Sequence, residues 1–224
     1  MSDLILLLKS IADVKVIDAS IDYSEYISID LSNTNLELEK FDLTNASIFQ
    51  DFIEHYLQKK NAKVAFGGYL ENRNLYKRSS VFKDDIFNER NIHIGLDLWI
   101  KAGTAVLAAL DGKIHSFKNN TSLGDYGPTI ILEHDIEDVK FYTLYGHLSE
   151  ESLNNLFVGK SFIKGEKIAT LGNFPINGDY APHLHFQIIK NTENYSGDYL
   201  GVCNIKDLDF YKENCPNPNI LLKI

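Results

Sequence analysis

His183-Leu184-His185-Phe186-Gln187-Ile188 alternates polar and apolar side chains without a break. A period of two belongs to an extended strand, in which successive side chains point to opposite faces. Leu184, Phe186 and Ile188 are therefore expected to face a core, and His183, His185 and Gln187 to share the other face. The two imidazoles then stand side by side, about 7 Å apart at their Cα atoms. Residues 92–100 alternate in the same way, with Ile92, Ile94, Leu96, Leu98 and Ile100 opposite His93, Gly95, Asp97 and Trp99. In an ideal strand His93 and Asp97 would lie about 13 Å apart, too far for two ligands of one ion whose bonds are about 2 Å long. A bend or bulge is therefore expected at Gly95.

His93, Asp97 and one imidazole of His183 and His185 make a suitable donor set for a catalytic zinc ion, which takes three N or O ligands and leaves its fourth position to water. His147, in Tyr145-Gly146-His147-Leu148, adds an imidazole for proton transfer, as does whichever of His183 and His185 does not bind metal. His55, His115 and His134 sit in no such pattern and are expected to be packed or solvent-facing.

Bulk properties narrow the setting. A chain of 224 residues with 44% hydrophobic composition can bury a full core. Its 22 Lys and Arg against 31 Asp and Glu leave a net charge of −9, which disfavours nucleic acid as a partner. Residues 1–60 hold eleven acids against five lysines, a net of −6. The apolar run at residues 4–8 lacks the basic start and cleavage site of a secretory signal, and no stretch approaches the length of a membrane span. The expectation is a cytoplasmic protein in which Cys203 and Cys215 are free thiols.

Two parts are expected along the chain: an N-terminal α/β extension over residues 1–65 and a mainly β domain over 66–224, with its core at 90–190. In the extension, residues 4–11 start a helix or strand and residues 15–19 read as a strand. A helix follows, capped by Thr44 or Asn45, with Ile48, Phe49, Phe52, Ile53, Tyr56 and Leu57 at three- and four-residue intervals before Lys59 and Lys60 close it. Beyond Val64 short apolar runs alternate with Gly, Asn and Asp. Residues 105–110 and 113–117 read as a hairpin around Asp111-Gly112, and residues 129–132 and 139–144 as a second pair across a polar turn.

His93-Ile94-Gly95-Leu96-Asp97, the following Ala102-Gly103-Thr104-Ala105-Val106 and Asp111-Gly112-Lys113-Ile114, Tyr145-Gly146-His147-Leu148 and His183-Leu184-His185-Phe186 resemble, in this order, the lysostaphin and LytM-type peptidases of the twenty-third metallopeptidase family. The resemblance covers roughly residues 90–190. It implies an antiparallel β-sheet groove of the duplicated-hybrid-motif kind, barrel- or sandwich-like, holding one Zn2+. It further implies His93, Asp97 and His185 as metal ligands, His147 and His183 as the catalytic pair, and a peptide substrate, usually a peptidoglycan cross-link.

Three departures bear on the substrate. Residues 172–182 are bulkier than the Gly-, Ser- and Thr-rich segment common at that place, which argues against a glycine-bridge substrate. Gln187 stands where a glutamate is common, and is expected to alter the surroundings more than the catalysis. Phe87 lies about where some members have a tyrosine that assists the oxyanion. Gly68-Tyr69-Leu70-Glu71-Asn72-Arg73, residues 197–202 and residues 215–222 resemble the peptidase-like module found beside an aminotransferase domain in some multidomain proteins, which implies a cytosolic peptide or small amide. Glu71 and Arg73 by themselves read as a surface ion pair of little energetic weight, with a role at the groove edge as the alternative. The alternative to an endopeptidase is a metal-bearing binding or regulatory module without turnover, its groove blocked by residues 66–90.

Overall fold

A computed structural model describes residues 2–74 and 89–224 of the chain. The alternating segment at residues 183–189 becomes the central strand of an eight-stranded sheet. In chain order the main elements of the described residues are α1 (Asp3–Ser10), β1 (Tyr26–Ser28), α2 (Ala46–Lys60), β2 (Val64–Gly67), β3 (Ile92–His93), β4 (Leu96–Trp99), β5 (Ala105–Leu107), β6 (Gly112–Asn120), β7 (Gly127–Ile136), β8 (Val139–Gly146), β9 (Ser161–Phe162), β10 (Lys167–Thr170), β11 (His183–Ile189), β12 (Val202–Cys203), α3 (Leu208–Asn214) and α4 (Asn219–Leu222). The sheet runs β1-β2-β4-β11-β8-β7-β6-β9, antiparallel except for the β1–β2 pair. The protein is mainly β, with an antiparallel-rich sheet and few helices.

Alternation on β11 does what its period requires. Leu184, Phe186 and Ile188 are fully buried in one core with Leu96 and Leu98 of β4, Phe141 and Tyr145 of β8, and Ile130 and Leu132 of β7. Leu4, Leu7 and Leu8 of α1 and Leu221 and Leu222 of α4 complete that core. Register then places His185 of β11 directly between Asp97 of β4 and Gly146 of β8, so the opposite face is where the polar residues meet.

Local chemistry explains most elements. The side chain of Asn45 caps α2 by accepting from the backbone N–H groups of Ser47 and Ile48, and Asn61 ends the helix in the left-handed conformation at φ 51°. Phe49 and Ile53 bury its inner face against Trp99, Ala65 and Ala181. β7 and β8 form the expected hairpin; its two turn residues, Glu137 and Asp138, both have positive φ, the twist that matches flanking strands.

Three expectations need correction. Residues 105–110 and 113–117 are not a hairpin: β5 pairs with β10, while β6 pairs with β7 and β9. The Asp111-Gly112 signal marks where the chain crosses between ladders, and a turn motif does not reveal which strand will be the partner. Residues 15–19 form no strand, only an isolated bridge from Ile17 to Val106. The alternation across 92–100 is two short strands in different sheets, β3 against β12 and β4 between β2 and β11. The break expected at Gly95 is present, and Gly95 is also required for a second reason, since a Cβ there would collide with the His185 ring.

His134 is fully buried, with Nδ1 against the Asp111 carbonyl at 2.8 Å and Nε2 against Thr143 Oγ1 at 2.7 Å. Burial pushes its pKa down to about 4. A histidine whose folded pKa is depressed contributes stability that is fully present above its unfolded value of about 6.5 and is lost as pH falls towards the folded value. Urea unfolding of the metal-free protein is expected to lose about 3 kcal/mol from His134 between pH 7 and pH 4, and His134→Gln to show a shallower acid dependence.

Candidate metal centre

His93 ends β3, Asp97 follows the break on β4, and His185 stands at the middle of β11. Their inward atoms converge. His93 Nε2 and His185 Nδ1 are 2.9 Å apart, and Asp97 Oδ1 lies 3.3 Å from the first and 3.2 Å from the second. Among the described residues these three form the group able to hold a metal ion.

Hydrogen bonds on the outer side of each ring assign the protons. His93 Nδ1 faces the Gly68 carbonyl at 2.9 Å and must donate to it. His185 Nε2 faces Gln187 Oε1 at 2.9 Å; the Gln187 amide nitrogen is committed to the Leu200 carbonyl and Cys215 Sγ, so the oxygen is the atom presented to the ring. Both inward nitrogens are therefore unprotonated acceptors. Asp97 Oδ1 is buried and makes no hydrogen bond. Three lone-pair donors facing one another in a buried site is unfavourable unless a cation joins them. Donors bound at about 2.0–2.1 Å to one tetrahedral zinc stand about 3.3 Å apart, close to the separations seen here. The residues present fit such an ion.

His147 and His183 lie beside this cluster. Their rings are 4.2 Å apart at the centroids, and His183 Nε2 is 3.8 Å from Asp97 Oδ1. Each is oriented by a carbonyl on its Nδ1: Asn177 for His147 at 2.7 Å and Ala181 for His183 at 2.7 Å. That leaves both Nε2 atoms as acceptors. His147 adopts φ 62°, uncommon for a residue with a side chain. Its backbone is held there by Tyr126 and Gly172, whose backbone groups bond its N–H and C=O at 2.9 Å. Trp99 stacks on the His183 ring at 5.6 Å.

Burial sets the charge states. It pushes His93 down to about 4 despite the pull of Asp97, and drives His147 well below the ordinary imidazole value, with His183 and His185 adding to the effect. His183 is lowered by burial as well. For Asp97 burial works upwards, but the positive charge of its neighbours, His93 and Arg73 foremost, holds the carboxyl well below its usual range. Arg73, paired with Asp97, brings a permanent positive charge to the site. The five residues line one cavity of about 240 Å³, to which Tyr126, Tyr180 and the carboxylates of Asp125 and Asp198 also contribute.

Every site residue expected from the sequence meets in this place. Others were not legible. Gln187 is fully buried and fixes the His185 tautomer, although the alternation showed only that it shares the His185 face. Tyr126, whose hydroxyl is 3.3 Å from His185 Nε2, and Asn177 sit in loop segments without periodicity. Arg73 and Glu71 are not a surface pair: Arg73 is 2% exposed and bonds Asp97. A charge pair two residues apart says nothing of its own burial. Phe87 and much of segment 66–90 lie outside the described residues.

Residues 91–196 match the model of peptidase family M23. Among solved structures, the catalytic domain of the antimicrobial peptidase lysostaphin from Staphylococcus simulans is 30% identical, over 55% of this chain and 80% of that one, with a TM-score of 0.38. A putative peptidase M23 from Pseudomonas aeruginosa is 19% identical over 58% of this chain and 43% of that one (TM-score 0.39). A zinc-containing peptidase from Vibrio cholerae is 24% identical over 48% and 30% (TM-score 0.34). The chain thus spans four fifths of the lysostaphin domain but less than half of the other two. No curated protein matches. Residues 91–196 thus carry a domain that matches peptidase family M23.

Replacing Gln187 by Leu removes the 2.9 Å acceptor of the buried His185 Nε2–H and leaves it only the longer contact with the Tyr126 hydroxyl, at 3.3 Å. Zinc affinity, measured by competition with a chromophoric chelator, is expected to fall about 10–100-fold.

Proposed function

We propose that the protein is a zinc-dependent endopeptidase or amidase in which His93, Asp97 and His185 hold the metal and His147 and His183 move the proton. The observation that carries this reading is the convergence of three unprotonated donor atoms, one of them a carboxylate oxygen without any hydrogen bond, beside two further neutral imidazoles. A zinc ion in this position supplies a Lewis acid for the scissile carbonyl and brings a bound water towards neutral pKa.

The chain's own groups do the rest. Neutral at pH 7, one of the Nε2 atoms of His147 and His183 accepts a proton from the attacking water and returns it to the departing amine. The other, aimed at the same space, steadies negative charge developing on the carbonyl oxygen. The Asn177 and Ala181 carbonyls keep both rings in the tautomer this requires. Tyr126, Tyr180 and Trp99 exclude bulk water from the imidazoles. The substrate is a peptide. Tyr180, the member of residues 172–182 that lines the cavity, favours chains other than oligoglycine; peptidoglycan stems and other peptides or amides are the classes to compare.

Zinc-loaded protein incubated separately with peptidoglycan, oligoglycine and a cytosolic peptide pool should release new amines, detected by mass spectrometry, from one of the first or third. His183→Ala is expected to retain about one zinc per chain and to lose about 10²–10⁴-fold in rate. A variant that hydrolyses as fast as the parent protein would remove His183 from the proposed role.

A further inference from the structure

Arg73 bridges the buried carboxylate of Asp97 and the partly buried carboxylate of Glu71. Its Nη1 lies 2.5 Å from Asp97 Oδ2 and its Nε 2.5 Å from Glu71 Oε2. Glu71 is anchored in turn: Oε1 accepts from the backbone N–H of Leu31 at 2.9 Å, a buried residue of the N-terminal extension. Trp99 lies under the guanidinium at 5.4 Å. Gly68, at φ 103°, closes the arrangement, because a Cβ there would collide with both Arg73 and the His93 ring. The segment from Gly68 to Arg73 is therefore built around one guanidinium that touches a candidate metal ligand.

A carboxylate offers a metal one oxygen or two. With both, His93, His185 and Asp97 would supply four donors, and one water would then make the ion five-coordinate. With one they supply three, and a position stays open for water or substrate. Here Oδ2 is already taken by a charge-assisted hydrogen bond, while Oδ1 faces the imidazole nitrogens with no hydrogen bond of its own. We propose that Arg73 is a positioning residue that withholds Oδ2 from the metal, so that Asp97 binds through Oδ1 alone and the site stays open, and that Glu71, held by the Leu31 backbone, keeps Arg73 in that place. The inference rests on the metal reading given above and adds what decides the coordination number. Lysine is a poor substitute at the bridge. A compact ammonium lacks the planar fork that reaches two carboxylates at once.

The test uses the full chain with Co2+ in place of zinc, because the visible absorption of cobalt reports coordination number without any substrate. The unmodified protein is expected to give the intense band of a four-coordinate ion. Arg73→Met frees Oδ2 and is expected to give a band several-fold weaker, that of a five-coordinate ion, with Arg73→Lys between the two. Arg73→Met also leaves a buried carboxylate without its cation, so Glu71→Gln provides a second route: it keeps the guanidinium charge near Asp97 but no longer holds it on Oδ2, and should weaken the band in the same sense by a smaller amount. If the folded Arg73 and Glu71 variants bind cobalt with the parent spectrum and differ only in melting temperature, Arg73 is a structural counter-ion and the proposal is overturned. If the unmodified protein takes up no cobalt, the metal reading itself fails, and this inference with it.

Discussion

The structure depends on a concentration of polar groups at the middle of a sheet whose two faces are both covered. Arg73, His93, Asp97, His147, His183, His185 and Gln187 are all buried, and each would cost several kcal/mol if left without a partner in that surrounding. Nearly every one is answered by a specific atom. Carbonyls from Gly68, Asn177 and Ala181 take the outer protons of three histidines, Gln187 takes that of the fourth, and Arg73 takes one oxygen of Asp97. What is left unanswered, Asp97 Oδ1 and the two inward nitrogens, is concentrated at one point.

This pattern constrains distant parts of the chain. Residues 172–182 must place the Asn177 carbonyl on His147, and Asn177 is itself pinned by reciprocal hydrogen bonds with the Tyr180 backbone. His147 is kept in a left-handed conformation by backbone bonds from segments on either side of it, so its orientation follows from several elements together. Gly95 and Gly146 are small because rings occupy the space a Cβ would need: His185 in the first case and Tyr126 in the second.

The N-terminal extension takes part in the same fabric. β1 and β2 lengthen the sheet beside β4, α1 supplies Leu4, Leu7 and Leu8 to the main core, and α2 covers Trp99. Through Leu31, Glu71 and Arg73 its backbone is three contacts from the carboxylate of Asp97. The acidic character of residues 1–60 therefore coexists with a direct structural role next to the site.

The sequence by itself determined which side chains share a face. Period-two alternation in residues 183–188 put Leu184, Phe186 and Ile188 into the core and His183, His185 and Gln187 on the other face, because it follows from local backbone geometry, and the break found beside Gly95 was expected because an unbroken strand would hold His93 and Asp97 too far apart to share one ion. The cap at Asn45 and the polar turn between β7 and β8 were legible for the same reason. Pairing was not. Residues 105–107 join β10 because the partner of a strand is decided by long-range register and core packing, which a turn dipeptide does not encode. Likewise the proton positions on His93 and His185, the burial of Arg73 and the commitment of one Asp97 oxygen were decided only by tertiary structure. Each depends on an acceptor or donor delivered from another segment, and burial, which makes those partners obligatory, exists only once the sheet has formed.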